Sequence, residues 1–311
     1  MTAASRGRAT PASRATPAGW VRGGGLSTLL LALPMLLVFG VFSWYPILRA
    51  LVMSVQQTNL VTAAQWVGWQ NFDRVLHDPL LGTAVRNTCY FALLALVFGY
   101  PVPLVIAVVM SELRRFKGLY SALVYLPVVV PPVVAVLLWK FFYDGSSSGV
   151  FNSILGRFGL GPYPWLQNSA SAMPALVLEA TWAAAGSTVI IYLAALTSVT
   201  PELYDAAAVD GASIWRKVWH VTMPQLRGVL LITLILQLIG TSQVFLEPYL
   251  FTNGGPSNST LTVLLLIYDY AFGQSLGGDY GSATALSVLL AVVLGALSAG
   301  YFRLTRSWSE S

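Results

Sequence analysis

A chain of 311 residues that is 56% hydrophobic and only 9% charged does not read as a soluble domain, in which about 25% of residues are charged. Apolar content on this scale needs a bilayer as its solvent, where each spanning helix takes roughly 20 predominantly apolar residues. The same composition excludes disorder, the single cysteine Cys89 excludes a disulfide scaffold, and the net charge of +5 says nothing of a partner until its basic residues are placed.

Residues 1–25 carry Arg6, Arg8, Arg14 and Arg22 among Ala, Thr, Gly and Pro, and read as a basic disordered tail. Six apolar stretches follow, at about Leu26–Val55, Thr88–Met110, Leu119–Phe142, Met173–Ser198, Val229–Phe245 and Ala283–Phe302. Each is continuous rather than alternating, which argues helices and against a barrel. The first is longer than the ~7–15 residues of a signal-peptide core and reads as an uncleaved helix. Between the helices, 56–86, 143–172 and 247–282 are polar loops bearing Gly or Pro. In the last of them Leu261–Phe272 is apolar but too short to span, and reads as interfacial or re-entrant.

With both termini placed in the cytoplasm, twelve of the 17 basic residues fall on the cytoplasmic side, among them Arg114, Arg115, Lys117, Arg216, Lys217, Arg227, Arg303 and Arg306. The positive-inside rule supports that orientation, and it accounts for the basic residues without nucleic acid. The expected fold class is therefore an all-α membrane protein of six transmembrane helices, with a tail over 1–25 and a transmembrane domain over 26–311.

Little here carries covalent chemistry. None of the three lysines, Lys117, Lys140 and Lys217, completes a GxxxxGK phosphate loop, so ATP is not bound by that route. His77 and His220 lack metal-ligand spacing and read as solvated loop residues, and Cys89 reads as a buried inert thiol. No nucleophile–base–orienter set can be assembled. Catalytic residues, metals and cofactors are accordingly expected to be none.

The loop Thr200–Pro224 is the informative segment. Thr200 is a good N-cap residue type, Pro201 suits the first helical position and Glu202 the positive end of the dipole. The alanines favour helix as far as Asp210, and Gly211 permits the left-handed turn that ends it. A second short helix is expected to start near Ala212–Ser213, with Pro224 introducing helix five. Ala206, Ala207 and Ala208 allow close approach of another backbone, while Tyr204, Val209, Ile214, Trp215, Val218 and Trp219 supply apolar anchors. By physics alone, docking on a protein and resting on lipid headgroups are comparable readings.

This segment resembles the loop of binding-protein-dependent ABC importer permeases, E-A-A-x3-G-x9-I-x-L-P. Asp205, Ala206, Ala207, Gly211, Val221, Met223 and Pro224 stand at every matching position, with Asp, Val and Met as mild departures. Val67–Phe72 resembles the VGLxNY of carbohydrate permeases, Asp210–Ser213 the sugar-type version of the loop, and Thr252–Pro256 with Ser259 and Thr260 the LTxGGPxxxT of a maltose-type first permease subunit. The resemblance implies a type I ABC importer permease of the carbohydrate uptake class in a bacterial or archaeal cytoplasmic membrane. It implies a second homologous permease, two cytoplasmic ATP-binding subunits and an extracytoplasmic solute-binding protein as partners. It also gives Asp205, Ala206, Ala207, Asp210, Gly211, Trp215 and Pro224 an ATPase-coupling role. Permeases for polyamines, amino acids or glycerol phosphates, and a secondary transporter needing no ATPase, are the alternatives.

For the solute path, Gln237 and Thr241 are four residues apart and share a helix face that Val244 continues. The resemblance makes this face a sugar contact; polar glue between helices is the competing reading. Helix four offers the Glu179 carboxylate and Ser187 for sugar hydroxyls and the Trp182 ring for a pyranose face, although a solvated or ion-paired Glu179 competes. Pro127, Pro131 and Pro132 should bend helix three, and the resemblance places solute contacts near Val128 and Pro132. Ser287, Ala291, Gly295 and Ala299 form a small-residue stripe on helix six, read as packing against a neighbouring helix.

Overall fold

The computed structural model describes residues 25–113, 115–273 and 277–309. The tail expected over 1–25 lies outside them except for Gly25, as does Arg114. The chain divides into Met1–Val52 and Met53–Ser311. The described residues of the first unit are helical, with α1 (Gly25–Phe39), a π-helical turn at Gly40–Trp44 and the start of α2 (Tyr45–Met53); apolar side chains there, such as Leu31 and Met35, are exposed.

The second unit begins with a small hairpin, β1 (Gln56–Gln57) against β2 (Gln65–Trp66), with Gln56 opposite Trp66. It continues through α3 (Gln70–Leu76), α4 (Pro79–Leu94), α5 (Pro101–Glu112), α6 (Lys117–Val129), α7 (Pro132–Phe142) and α8 (Val150–Gly156). After these come α9 (Ser169–Leu196), α10 (Pro201–Val209), α11 (Ile214–Lys217), α12 (Met223–Ser242), α13 (Val263–Phe272) and α14 (Tyr280–Ser309). Among the described residues, five rods are long and apolar enough to cross a membrane: Leu26–Met53, Pro79–Glu112, Ser169–Leu196, Ile214–Ser242 and Tyr280–Thr305.

The sixth expected span is broken. α6 and α7 meet at 100°. Pro131 and Pro132 lack the N–H groups a continuing helix needs there, and the residue before a proline is pushed out of the helical region. Val130 and Pro131 accordingly have ψ of 128° and 135°. Proline also explains most of the π turns. Gly40–Trp44, Ala95–Gly99 and Val218–Thr222 each end two residues before a proline, namely Pro46, Pro101 and Pro224. A proline ring clashes with the carbonyl four residues earlier, and a widened turn accommodates it without ending the helix.

Several boundaries differ from the sequence reading. The second span starts at Pro79, capped by Asp78, whose carboxylate accepts from Leu80 N at 2.7 Å, so Arg86 lies in the helix and not in a loop. α11 does not stop before helix five. It runs through Val218–Thr222 into α12, with Pro224 inside the rod and His220 on it. Cys89 is exposed rather than buried, since it sits beside Asn87 and Thr88 but on the outward face of α4. On α14 the stripe has Ser287 half-buried but Ala291, Gly295 and Ala299 exposed, so no helix of the described residues covers it.

Helix α13 is packed into the protein. Leu265, Leu266 and Val263 are buried against Val75, Ala84 and Leu286, which makes α13 the centre of a core cluster. Its first N–H, an orphan in any helix, is met by Thr88 Oγ1 at 3.0 Å. Asn87 Nδ2 holds the preceding loop through the carbonyls of Asn258 (2.7 Å) and Leu261 (2.9 Å).

Candidate functional site

A cavity of about 550 Å³ lies among α4, α9, α12 and the chain leaving α12. Gln237, Thr241 and Val244 all line it, as their shared face requires. So do Thr181 and Thr188 of α9 and Thr233 of α12, none of which was singled out in sequence. Thr181, Ala184 and Thr188 repeat at helical spacing, a signal that was legible once α9 was known to face α12 through this side. Gly99, in the π turn after α4, brings α4 close: a Cβ there would lie 2.9 Å from Thr181 Oγ1 and 3.8 Å from Gln237 Nε2.

The lining is rich in neutral hydrogen-bonding groups, with Glu247 as its charged residue. Thr241 Oγ1 already donates to its own helix, at 2.8 Å from Gln237 O, and Thr233 Oγ1 lies 3.0 Å from the Val229 and Leu230 carbonyls. These hydroxyls keep lone pairs for a ligand but not their protons. The Gln237 amide is the better donor.

Five expected contacts do not line the cavity. Ser187 is exposed on another face of α9, its hydroxyl on Ala184 O at 2.9 Å. Val128 packs at the crossing of α6 and α9, where a Cβ on Gly186 would meet Val124 O at 2.4 Å and Val128 Cγ2 at 2.9 Å. Pro132 opens α7 and is exposed. Trp182 joins an aromatic cluster, 5.6 Å from the Trp139 ring, which also holds Tyr143, Phe151 and Trp165. Glu179 is 2% exposed with Oε2 lacking a hydrogen-bond partner, buried beside that cluster rather than solvated or ion-paired.

Toward Pro224, one turn from Gln237, three tyrosines from three helical rods clasp α12. Tyr100 OH donates to Leu230 O (2.6 Å), Tyr192 OH pairs with Thr233 Oγ1 (2.8 Å), and Tyr301 OH donates to Leu231 O. Because Thr233 Oγ1 spends its proton on its own helix, Tyr192 is the donor in its pair.

Beyond the clasp is the segment around Gly211. α10 ends in the hydrogen bonds of a Schellman turn, with Ala212 N to Ala207 O (2.9 Å) and Gly211 N to Ala208 O (3.1 Å), and Gly211 adopts φ +70°. Pro201 takes the first helical position as expected, but the Thr200 side chain makes no capping bond; Ser213 caps α11 instead. Tyr204 OH lies 3.1 Å from Thr222 Oγ1 and ties α10 to the rod. Asp205, Ala206, Asp210, Gly211, Trp215 and Pro224 are exposed and Ala207 half-buried. Val209 is 89% and Trp215 74% exposed, an apolar surface gathered on one corner.

Membrane-crossing rods around a cavity that presents neutral polar side chains among apolar ones, with an exposed structured corner leading into the cavity helix, fit a membrane component of a transport system. Residues 99–306 match the family described as binding-protein-dependent transport system inner membrane component, and the chain belongs to that family. It is 32% identical over 279 residues to the arabinooligosaccharides transport system permease protein AraP of Halalkalibacterium halodurans, covering 89% of this chain and 87% of that one. It is 33% identical over 270 residues to the lactose transport system permease protein LacF of Rhizobium radiobacter, covering 85% and 90%. Its fold matches a chain of the bacterial alginate ABC transporter solved in complex with an alginate pentasaccharide-bound periplasmic protein, with a TM-score of 0.82, 25% identity and coverage of 94% and 98%.

Proposed function

We propose that this chain is the permease subunit of an ATP-driven ABC importer that passes a sugar or sugar-like solute into the cytoplasm through the cavity between α4, α9 and α12. The observation that carries the reading is the lining. Thr181, Thr188, Gln237 and Thr241 offer neutral donors and acceptors in a walled space, the chemistry that pairs with hydroxyls rather than with a multiply charged solute. The sugar permeases among its relatives support the same class. Polyamine transport would want several acidic groups here, and Glu247 is the acidic side chain of the lining.

In this reading the corner of Asp205, Ala206, Ala207, Asp210, Gly211 and Trp215 docks on one of two cytoplasmic ATP-binding subunits. Movement there passes along the continuous rod from Ile214 to Ser242 and reaches Gln237 without crossing a loop. Pro224 keeps its place in that rod because the π turn absorbs its ring. A second, homologous permease completes the path, and an extracytoplasmic binding protein delivers the solute. Energy comes from the ATP-binding subunits, and both termini of this chain are cytoplasmic.

The test is solute uptake by the assembled transporter carrying Gln237→Leu. Losing one neutral hydrogen bond costs ~0.5–1.5 kcal/mol, so uptake at low solute should fall severalfold while the complex still co-purifies. Thr241→Val should cost less, because the Thr241 proton is committed to Gln237 O. Unchanged uptake in Gln237→Leu would take this face out of the solute path.

A further inference from the structure

The charge in the cavity between α4, α9 and α12 has one sign. Among the described residues its lining holds no Lys, Arg or His, and its one carboxyl group is that of Glu247, on the chain leaving α12. Glu247 forms no ion pair among those residues. Lys140, whose Nζ donates to Leu250 O at 3.1 Å in the same stretch, does not line the cavity. A second acid stands behind the wall. Glu179 adjoins the lining residue Ala180, is 2% exposed with Oε2 lacking a hydrogen-bond partner, and lies close enough to Glu247 for the two groups to act on each other.

Such a lining sorts solutes by charge. An anion taken out of water keeps its desolvation cost unless a cation pairs with it. A solute carboxylate or phosphate would find no cation here. Burial raises the Glu247 carboxyl above its ordinary value; in both of its forms it offers an anion no countercharge, and ionised it repels one through a weakly screening interior. A sugar hydroxyl meets the opposite case. It can donate to a Glu247 oxygen and accept from the Gln237 amide, so that both of its roles are met. Glu247 lies just past the end of α12 at Ser242, remote from the Gly211 corner. In the proposed function an incoming solute therefore reaches it before Gln237.

We propose that Glu247 sets the charge selectivity of the cavity, admitting neutral sugars and turning away sugars that bear a carboxylate or a phosphate, a role that rests on the cavity being the solute path. Gln237 and Thr241 then hold what Glu247 lets pass, and they do not themselves tell a neutral sugar from an anionic one.

Saturation-transfer NMR on the detergent-purified assembly tests this, with the solute-binding protein left out so that its own selectivity does not enter. The probes are disaccharides of glucose, galactose and mannose, each beside the same sugar with its primary alcohols oxidised to carboxylates. The wild type should give saturable signals from neutral disaccharides, weakened by Gln237→Leu, and severalfold weaker signals from their oxidised forms. Glu247→Gln, which keeps the shape of the side chain, should narrow that difference, and Glu247→Lys, which supplies the missing cation, should reverse it. If the lysine variant does not assemble, the glutamine variant alone decides. Oxidised sugars bound as tightly as neutral ones by the wild type, or a difference that substitution of Glu247 leaves unmoved, would overturn the role of Glu247 and leave the sugar path standing. Saturable signal from none of the sugars would overturn the sugar path itself, and this role with it.

Discussion

Two glycines show how a single methyl group is felt differently at two sites. At Gly186 the added carbon would meet a backbone carbonyl, Val124 O, at 2.4 Å, and backbone cannot step aside. At Gly99 it would meet the Thr181 hydroxyl at 2.9 Å, which can rotate. Overpacking costs ~1–3 kcal/mol where the neighbours cannot yield. Gly186→Ala should therefore lower the apparent melting point of the detergent-purified complex, while Gly99→Ala should leave it nearly unchanged and alter uptake, because Thr181 and Gln237 share that space. The Tyr192–Thr233 pair gives a second ordering. Thr233→Val leaves a fully buried phenol without its acceptor, a loss of ~1–3 kcal/mol, whereas Tyr192→Phe removes the donor and leaves Thr233 bonded to its own helix, ~0.5–1.5 kcal/mol. Thermal unfolding should rank Thr233→Val as the more damaging; the reverse order would contradict the assigned donor. Gln237, Thr241 and Val244 were legible in sequence because polar residues in an apolar helix stand out. Thr181 and Thr188 did not, because threonine is only weakly polar and only the position of α12 shows which face of α9 lines the cavity.

The elements divide along similar lines. The corner at Gly211 could be derived residue by residue, because caps, alanines and a left-handed glycine act within a few positions of one another. The structure alters two points: Thr200 makes no side-chain cap, whereas Ser213 caps α11, and α11 runs on into α12 instead of stopping before it. Since Gly211 sits at φ +70°, a Cβ there meets no neighbour but does meet the left-handed penalty of ~1–2 kcal/mol. Gly211→Ala should weaken co-purification of the ATP-binding subunits, and Gly211→Asn, a residue that tolerates this conformation, should weaken it less. Equal behaviour of the two would place the effect elsewhere. Trp215→Ala should weaken co-purification without loss of folded protein, because 74% of that side chain is exposed and carries little internal packing. The 100° break between α6 and α7 was foreseen as a bend from its prolines, but its size depends on what packs against each half. The burial of α13 was not foreseen at all. Its partners Thr88, Asn87 and Leu286 lie far away in sequence, and a ten-residue apolar helix looks the same whether it meets lipid or protein.

At the scale of the whole molecule, the proposed function makes the arrangement a relay. An exposed corner leads into an unbroken rod, three tyrosine hydroxyls hold that rod to its neighbours, and the cavity begins at Thr233, the last residue of that clasp. Composition alone established the membrane and the number of apolar stretches; which faces enclose the cavity required the packing. The central claim is that this chain conducts solute but draws its energy from other subunits through that corner. The measurement that tests it most directly is sugar accumulation in proteoliposomes holding the complete assembly, compared with vesicles holding this chain alone, with ATP hydrolysis followed in both. The account predicts accumulation and hydrolysis only in the complete assembly with ATP and the solute-binding protein present, and the loss of accumulation when Gly211 is replaced by Trp. Hydrolysis or solute uptake by this chain alone would contradict it.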